Sequence, residues 1–203
     1  MAAILSNLRN TVIASFVLLI IIVVVIGALF GFPGFGGSAW LQFLFRWLHV
    51  ISGVMWVGLL WYLNFVQIPT MPKIPDELKP AIGKHIAPAV LFWFRWGAMA
   101  TLVTGLILAA LNNYIVEAIT LGIGAKNVAH TAIGIGMWLG AIMWFNVWFV
   151  IWPNQKKVLG MVEASADEKA KAARTAMLFS RTNTLLSFPM LYCMISAQHG
   201  GFG

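Results

Sequence analysis

Charge is scarce in this chain. Only 9% of its 203 residues are Asp, Glu, Lys or Arg, where a soluble domain carries about a quarter. Acid is scarcer still: the six carboxylates are Asp76, Glu77, Glu117, Glu163, Asp167 and Glu168, and none lies deep in an apolar run. That argues against paired-carboxylate catalysis and against an ion-coupled transporter, which normally keeps a carboxylate inside the membrane. The single cysteine, Cys193, excludes an internal disulfide. There is no nucleophile elbow and no phosphate-binding loop. The ten methionines lack the paired spacing of a copper–thioether site.

Apolar residues fill the space instead. The chain is 61% hydrophobic, with a mean hydropathy of +0.87. Five windows stand out, near 11–30, 41–67, 89–111, 127–151 and 177–198. Each is long enough to cross a hydrocarbon core of about 30 Å, which takes roughly 20 helical residues. The runs are continuous rather than alternating, so they read as helices and not as barrel strands. The predicted fold is an all-α integral membrane protein of about five transmembrane helices, one membrane domain over 1–203. The first window has too long an apolar core for a cleaved signal peptide, and GALFGFPGFGG follows without a small-residue cleavage site. Loop 68–88 carries Lys73, Lys79 and Lys84, and loop 152–176 carries Lys156, Lys157, Lys169, Lys171 and Arg174. The other two connections hold only Lys126. This bias predicts a cytoplasmic N-terminus and an outside C-terminus. It also accounts for the net charge of +7, leaving nothing for a nucleic-acid interface.

Two segments repeat each other. His49 to Pro69 reads HVISGVMWVGLLWYLNFVQIP and His130 to Pro153 reads HTAIGIGMWLGAIMWFNVWFVIWP. Met55-Trp56-x-Gly58 matches Met137-Trp138-x-Gly140, and Asn64 matches Asn146. The expected organisation is an N-terminal span and loop over 1–40, then two related hairpins over 41–111 and 127–199. The hairpins pack as a four-helix bundle with parallel repeats. The stretch 160–176 is rich in Ala, Glu and Lys and predicts a surface helix, capped by Ser165 with Glu168 three residues on.

A histidine inside a membrane helix is expensive and usually functional. At 1.5 Å per residue, His49 and His130 sit roughly 12 and 5 Å below the outer boundary; His199 emerges on that side, and His85 lies in a cytoplasmic loop. Glycine follows each buried histidine by four residues, Gly53 and Gly134, on the same helical face. A flat macrocycle needs such a small neighbour beside its axial ligand. Arg46, three residues before His49, and Lys126, four before His130, are placed to pair with propionates. The expected cofactor is haem b with His49 and His130 on the iron, and His199 as a substitute ligand. Two other readings stay open: histidines that serve structure or proton handling, and a different metal. Trp56, Trp61, Trp138 and Trp144 lie deep enough to line a porphyrin or quinone pocket or simply to pack. His49 to Trp56 is seven residues whereas His130 to Trp138 is eight. One extra residue turns a helix face by about 100° unless a π-bulge absorbs it.

FRWLHVISGVMWVGLLWYLNFV (Phe45 to Val66) and NVWFVIWPNQKKVLG (Asn146 to Gly160) resemble the membrane domain of the bacterial membrane-bound urate oxidases. In that family a cytochrome c domain follows the membrane part, so the resemblance implies an electron path to a periplasmic cytochrome from the bacterial inner membrane. This sequence carries no CxxCH motif, and a cytochrome c is therefore expected as a separate partner. The reading that follows is a haem-binding membrane subunit transferring electrons on the periplasmic side, among other membrane subunits and lipid. Its alternatives are a membrane oxidase of urate or a similar small molecule, and an accessory subunit without cofactor.

Overall fold

The computed structural model describes residues 2–32, 34–124 and 127–202. Among them every regular element is helical. The chain divides into two compact units, 1–41 and 42–203.

In the first unit a short α1 (Ala2–Leu5) precedes α2 (Leu8–Phe30). Asn7 caps α2 by accepting the Asn10 N–H on its side chain, and Gly31 ends it at φ 80°. Only Gly27 of α2 is buried. A helix that is apolar all round suits a lipid surrounding.

Helix α3 (Ser38–Trp61) opens the second unit's bundle and continues through a π-helical segment, Tyr62–Gln67, into α4 (Ile68–Thr70) and a 3₁₀ turn, Met71–Lys73. After a tight turn, α5 (Lys79–Ala81) leads through a second π-segment, Ile82–Ile86, into α6 (Ala87–Leu111). The short α7 (Ile115–Ile119) precedes α8 (Val128–Phe145), which runs through a third π-segment, Asn146–Ile151, into α9 (Trp152–Val158). Helix α10 (Ala166–His199) is 34 residues long and unbroken despite Pro189. Among the described residues four helical stretches are long and apolar enough to cross a membrane: Leu8–Phe30, Ser38–Lys73, Lys79–Leu111 and Val128–Val158.

Proline explains why the helices outrun their expected ends. Pro69 and Pro153 each follow a π-segment at the second position of the next α-turn. A proline lacks the N–H and presses on the carbonyl four residues back. Widening the preceding turn to the π pattern relieves that clash without breaking the rod. The expected loop 68–88 therefore shrinks to 74–78, and His85 sits in a π-segment rather than a loop. The stretch 160–176 is helical from Ala166 and mostly exposed, as expected, but it forms the first turns of α10 (Ala166–His199) rather than a helix of its own. Its capping box forms as expected, Ser165 Oγ accepting the Glu168 N–H and Glu168 accepting the Ser165 N–H, but the helix runs on uninterrupted to His199.

The bundle core gathers Trp56, Leu60, Phe94, Ala98, Met143, Val147, Ala176 and Met190 from α3, α6, α8 with its π-segment, and α10. Helix α10 turns its small and polar residues inward: Ser180, Asn183 and Ser187 are buried, while Leu185 and Phe188 face out. Each inward polar group has a partner across the bundle. Asn64 Nδ2 donates to Ser180 Oγ at 2.7 Å, Asn146 Nδ2 donates to Asn183 Oδ1 at 2.8 Å, and Trp61 Nε1 donates to Ser187 Oγ at 3.0 Å. Asn183 Nδ2 in turn donates to the Met143 carbonyl at 2.9 Å. Such bonds hold membrane helices together where the lipid offers no hydrophobic drive.

Candidate functional site

A cavity of about 1080 Å³ opens among α3, α6, α8 and α10. Glycine makes the room. Gly58 and Gly140, equivalent in the repeat, both line it, and a Cβ added to either meets nothing within 4 Å. Gly53 lines it too, its nearest neighbour for an added Cβ being Thr101 Cγ2 at 3.9 Å.

His49 stands on the wall of this cavity. Its Nδ1–H donates to the Thr101 carbonyl at 2.9 Å, with the Thr104 hydroxyl at 3.3 Å. A carbonyl can only accept, so the proton is on Nδ1 and the lone pair on Nε2. Gly105 makes the approach possible: a Cβ there would come within 2.8 Å of His49 Cε1. This is the outer-shell arrangement of a metal-ligating imidazole, one ring N–H fixed on a backbone carbonyl and the other nitrogen left basic.

His199 and Gln198, at the end of α10, line the same cavity, and so does Arg46, one turn before His49. Tyr114 completes that end of the wall. Burial pushes the pKa of its phenol above the ordinary tyrosine value, and the nearby Arg46 charge draws it partly back. Among the described residues no acidic one lines the cavity. It therefore suits a neutral or anionic guest with its carboxylates at the Arg46 end.

His130 lies off the cavity wall. Its ring packs on Tyr114, centroids 6.0 Å apart and planes inclined by 31°, and its Nδ1 is buried without a partner. The backbone gives the reason. α8 runs as regular α-helix from Val128 to Phe145, so the extra residue between His130 and Trp138 is not absorbed before Asn146. Counted back from the shared Trp, Gly and Asn, the offset of 82 pairs His49 with Thr131, not His130. Gly134 faces the Ala118 carbonyl of α7, where a Cβ would overlap it; this glycine seats α7 on α8 and does not line the cavity. Lys126 lies outside the described residues. The structure thus brings His49, Arg46 and Gly53 together with His199, and keeps His130 and Gly134 apart from them.

Three participants carried no signal of their own. Thr101 acts through a backbone carbonyl, which no residue type announces, and Gly105 and Tyr114 are remote in sequence from both histidines. Among the described residues no three His, Cys, Asp or Glu side chains come together to cage a bare metal ion. The wall offers one or two imidazoles, the demand of a group that brings its own equatorial ligands.

Among the described residues, fold and cavity together define an all-helical protein with four helices suited to cross a membrane and an imidazole-bearing chamber inside its bundle. Residues 125–202 match the family described as Urate oxidase N-terminal. That stretch covers α8 to α10, and with them the Gly140 and His199 walls of the chamber and the outlying His130. No curated protein matches the chain, and no solved structure does.

Proposed function

We propose that the chain is the haem-binding membrane part of an oxidase system acting on urate or a similar small molecule, with electrons leaving on the outer side to a cytochrome c. The observation that carries this reading is the His49 imidazole, its Nδ1–H tied to the Thr101 carbonyl at 2.9 Å and its ring on the cavity wall. A chamber of about 1080 Å³ lies at the top of the usual range for small-molecule sites, about 300–1000 Å³, and suits a macrocycle better than a small solute. His49 would hold the iron through Nε2. His199, which shares the wall, is the second candidate ligand in place of His130, and Arg46 would pair with propionates. When bound, the haem supplies one-electron exchange between a donor and an acceptor. The Arg46 charge favours whichever state of the site is more negative, and Thr101 holds His49 in the ligating tautomer. The match to the urate oxidase N-terminal family is what points to an oxidisable substrate rather than to electron relay alone.

Two readings of architecture accompany the proposal. Helix α10 is a fifth crossing, its inward polar face hidden by the bundle. The hairpins are a duplication, supported by the π-segments that carry Asn64 and Asn146 ahead of Pro69 and Pro153. With the Lys-rich turns in the cytoplasm, His49 and His199 lie at the periplasmic end of a protein in the bacterial inner membrane.

The absorbance spectrum of the purified protein tests the ligand assignment. A Soret band with resolved α and β bands on reduction is expected, lost in His49→Ala, altered in His199→Ala and retained in His130→Ala. A featureless spectrum above 400 nm, or an unaltered one in His49→Ala, rejects the assignment. Urate-dependent reduction of added cytochrome c separates the oxidase from a pure electron carrier.

A further inference from the structure

Arg95 is a membrane cation without a counter-ion. It lies within α6, toward the end of the bundle that carries the lysine-rich turns. Its guanidinium carbon sits 3.5 Å from the centroid of the Trp152 ring and 5.5 Å from that of Trp148. Nε and Nη1 are buried and donate to nothing. Among the described residues the one ion pair is Lys79 with Asp76, and all six carboxylates lie outside the four long apolar stretches. A guanidinium stays protonated in any protein setting. Shielding a charged group with two unmet donors from water is costly, and the indole faces offset only part of it. Asn64 Oδ1 and Gln67 Oε1 are also buried without a donor, but neither bonds Arg95, and a neutral amide oxygen cannot balance a charge.

Around this cation the surface has the chemistry of an anion cradle. Trp152 and Lys156 are four residues apart within α9, so they share a helical face. Lys156 is half-buried one turn beyond Trp152, nearer the aqueous end. On the other side Phe92 and Trp96 are exposed, with ring centroids 6.5 Å apart, an apolar surface for hydrocarbon. A guanidinium, an ammonium group and an apolar flank at the lysine-rich end of the bundle are complementary to one kind of molecule.

We propose that Arg95 and Lys156, with the Trp152 ring behind the guanidinium, bind the phosphate of a membrane phospholipid whose acyl chain lies along Phe92 and Trp96. Arg95 and Lys156 together meet the phosphate oxygens with charge-assisted hydrogen bonds, which neither side chain supplies alone. Basic pockets between helices on the cytoplasmic side are known to take anionic headgroups.

Thermal unfolding of the intact chain in detergent tests this, with dioleoylphosphatidylglycerol added in one arm and dioleoylglycerol, which lacks the phosphate, in the other. A ligand well above its dissociation constant is expected to raise the midpoint by about 5 °C in the phosphate arm alone. That shift should vanish in Arg95→Gln and shrink in Arg95→Lys. Lys156→Gln lies outside the core and is expected to lose about half of the shift, so it carries the test if Arg95→Gln does not fold. Equal midpoints with the two lipids overturn the proposal, as does a full shift in both Gln variants. A third arm with inorganic phosphate separates the sources: the same shift there assigns the site to a soluble anion and removes the lipid.

Discussion

A glycine decides where the His49 ring can sit. The Thr101 carbonyl already accepts within its own helix, and its second lone pair is open to a side chain only where the neighbouring surface is bare. Gly105 supplies that bareness, since an added Cβ would stand 2.8 Å from His49 Cε1. Gly105→Ala is therefore expected to push the ring off the carbonyl while leaving α6 helical, for alanine is the better helix former. Outer-shell losses of this kind cost about 10–100-fold in affinity for the bound metal group. Titration of the purified apoprotein with haem measures it, and affinity equal to that of the unaltered chain would mean that the carbonyl bond has no part in binding. At this scale the sequence was half legible. Both histidines stand out in apolar runs, and His49 does line the chamber. What separates them is one residue of spacing before Trp138, about 100° of helix, and its consequence depends on whether a π-bulge falls before or after the tryptophan. Here it falls after, at Asn146.

Between helices, the buried amides do the joining. Asn183 is wholly buried, accepts from Asn146 at 2.8 Å and donates to the Met143 carbonyl at 2.9 Å. Asn183→Ala leaves the Asn146 amide with no acceptor in an apolar surrounding, for a loss of about 1–3 kcal/mol. Membrane hydrogen bonds average about 0.6 kcal/mol each, so a loss well below that figure in reversible denaturation would show that water or a repacked side chain satisfies Asn146. The elements themselves were largely foreseeable. Apolar length gave the existence and type of the long helices, and the Ser165–Glu168 capping box marked the start of α10, with the Glu168 carboxyl held below the usual glutamate range chiefly by the Ser165 backbone N–H. Their ends were not foreseeable, because a proline reads as a stop while a π-turn lets the chain pass through it. Pro69 and Pro153 both do so.

For the molecule in its membrane, the question is whether α10 crosses. Hydropathy picks four stretches and leaves α10 out, but a hydropathy average counts side chains without asking which way they face. At 34 residues this helix is about 51 Å long, more than the roughly 30 Å of a hydrocarbon core. The Ser180, Asn183 and Ser187 groups that lower its average are buried against the bundle, whereas Leu185, Phe188, Tyr192 and Ile195 are exposed and suit lipid. Between the turn at 74–78 and the C-terminal end run α6, α8 with α9, and α10. If all three cross, Glu77 and Gly201 lie on opposite sides; if α10 lies on the surface, they lie on the same side. The chain has one cysteine, the buried Cys193, so Cys193→Ser gives a clean background for single replacements. Glu77→Cys, Glu163→Cys and Gly201→Cys can then be probed in intact cells with a maleimide that does not cross membranes. Labelling of Gly201→Cys alone, with the other two reacting only after permeabilisation, is the expected pattern. It would put the His49 and His199 end of the bundle at the periplasm, within reach of an electron acceptor there. Equal labelling of Glu77→Cys and Gly201→Cys would remove the fifth crossing, and with it the outward-facing chamber that the proposed delivery to a periplasmic partner requires.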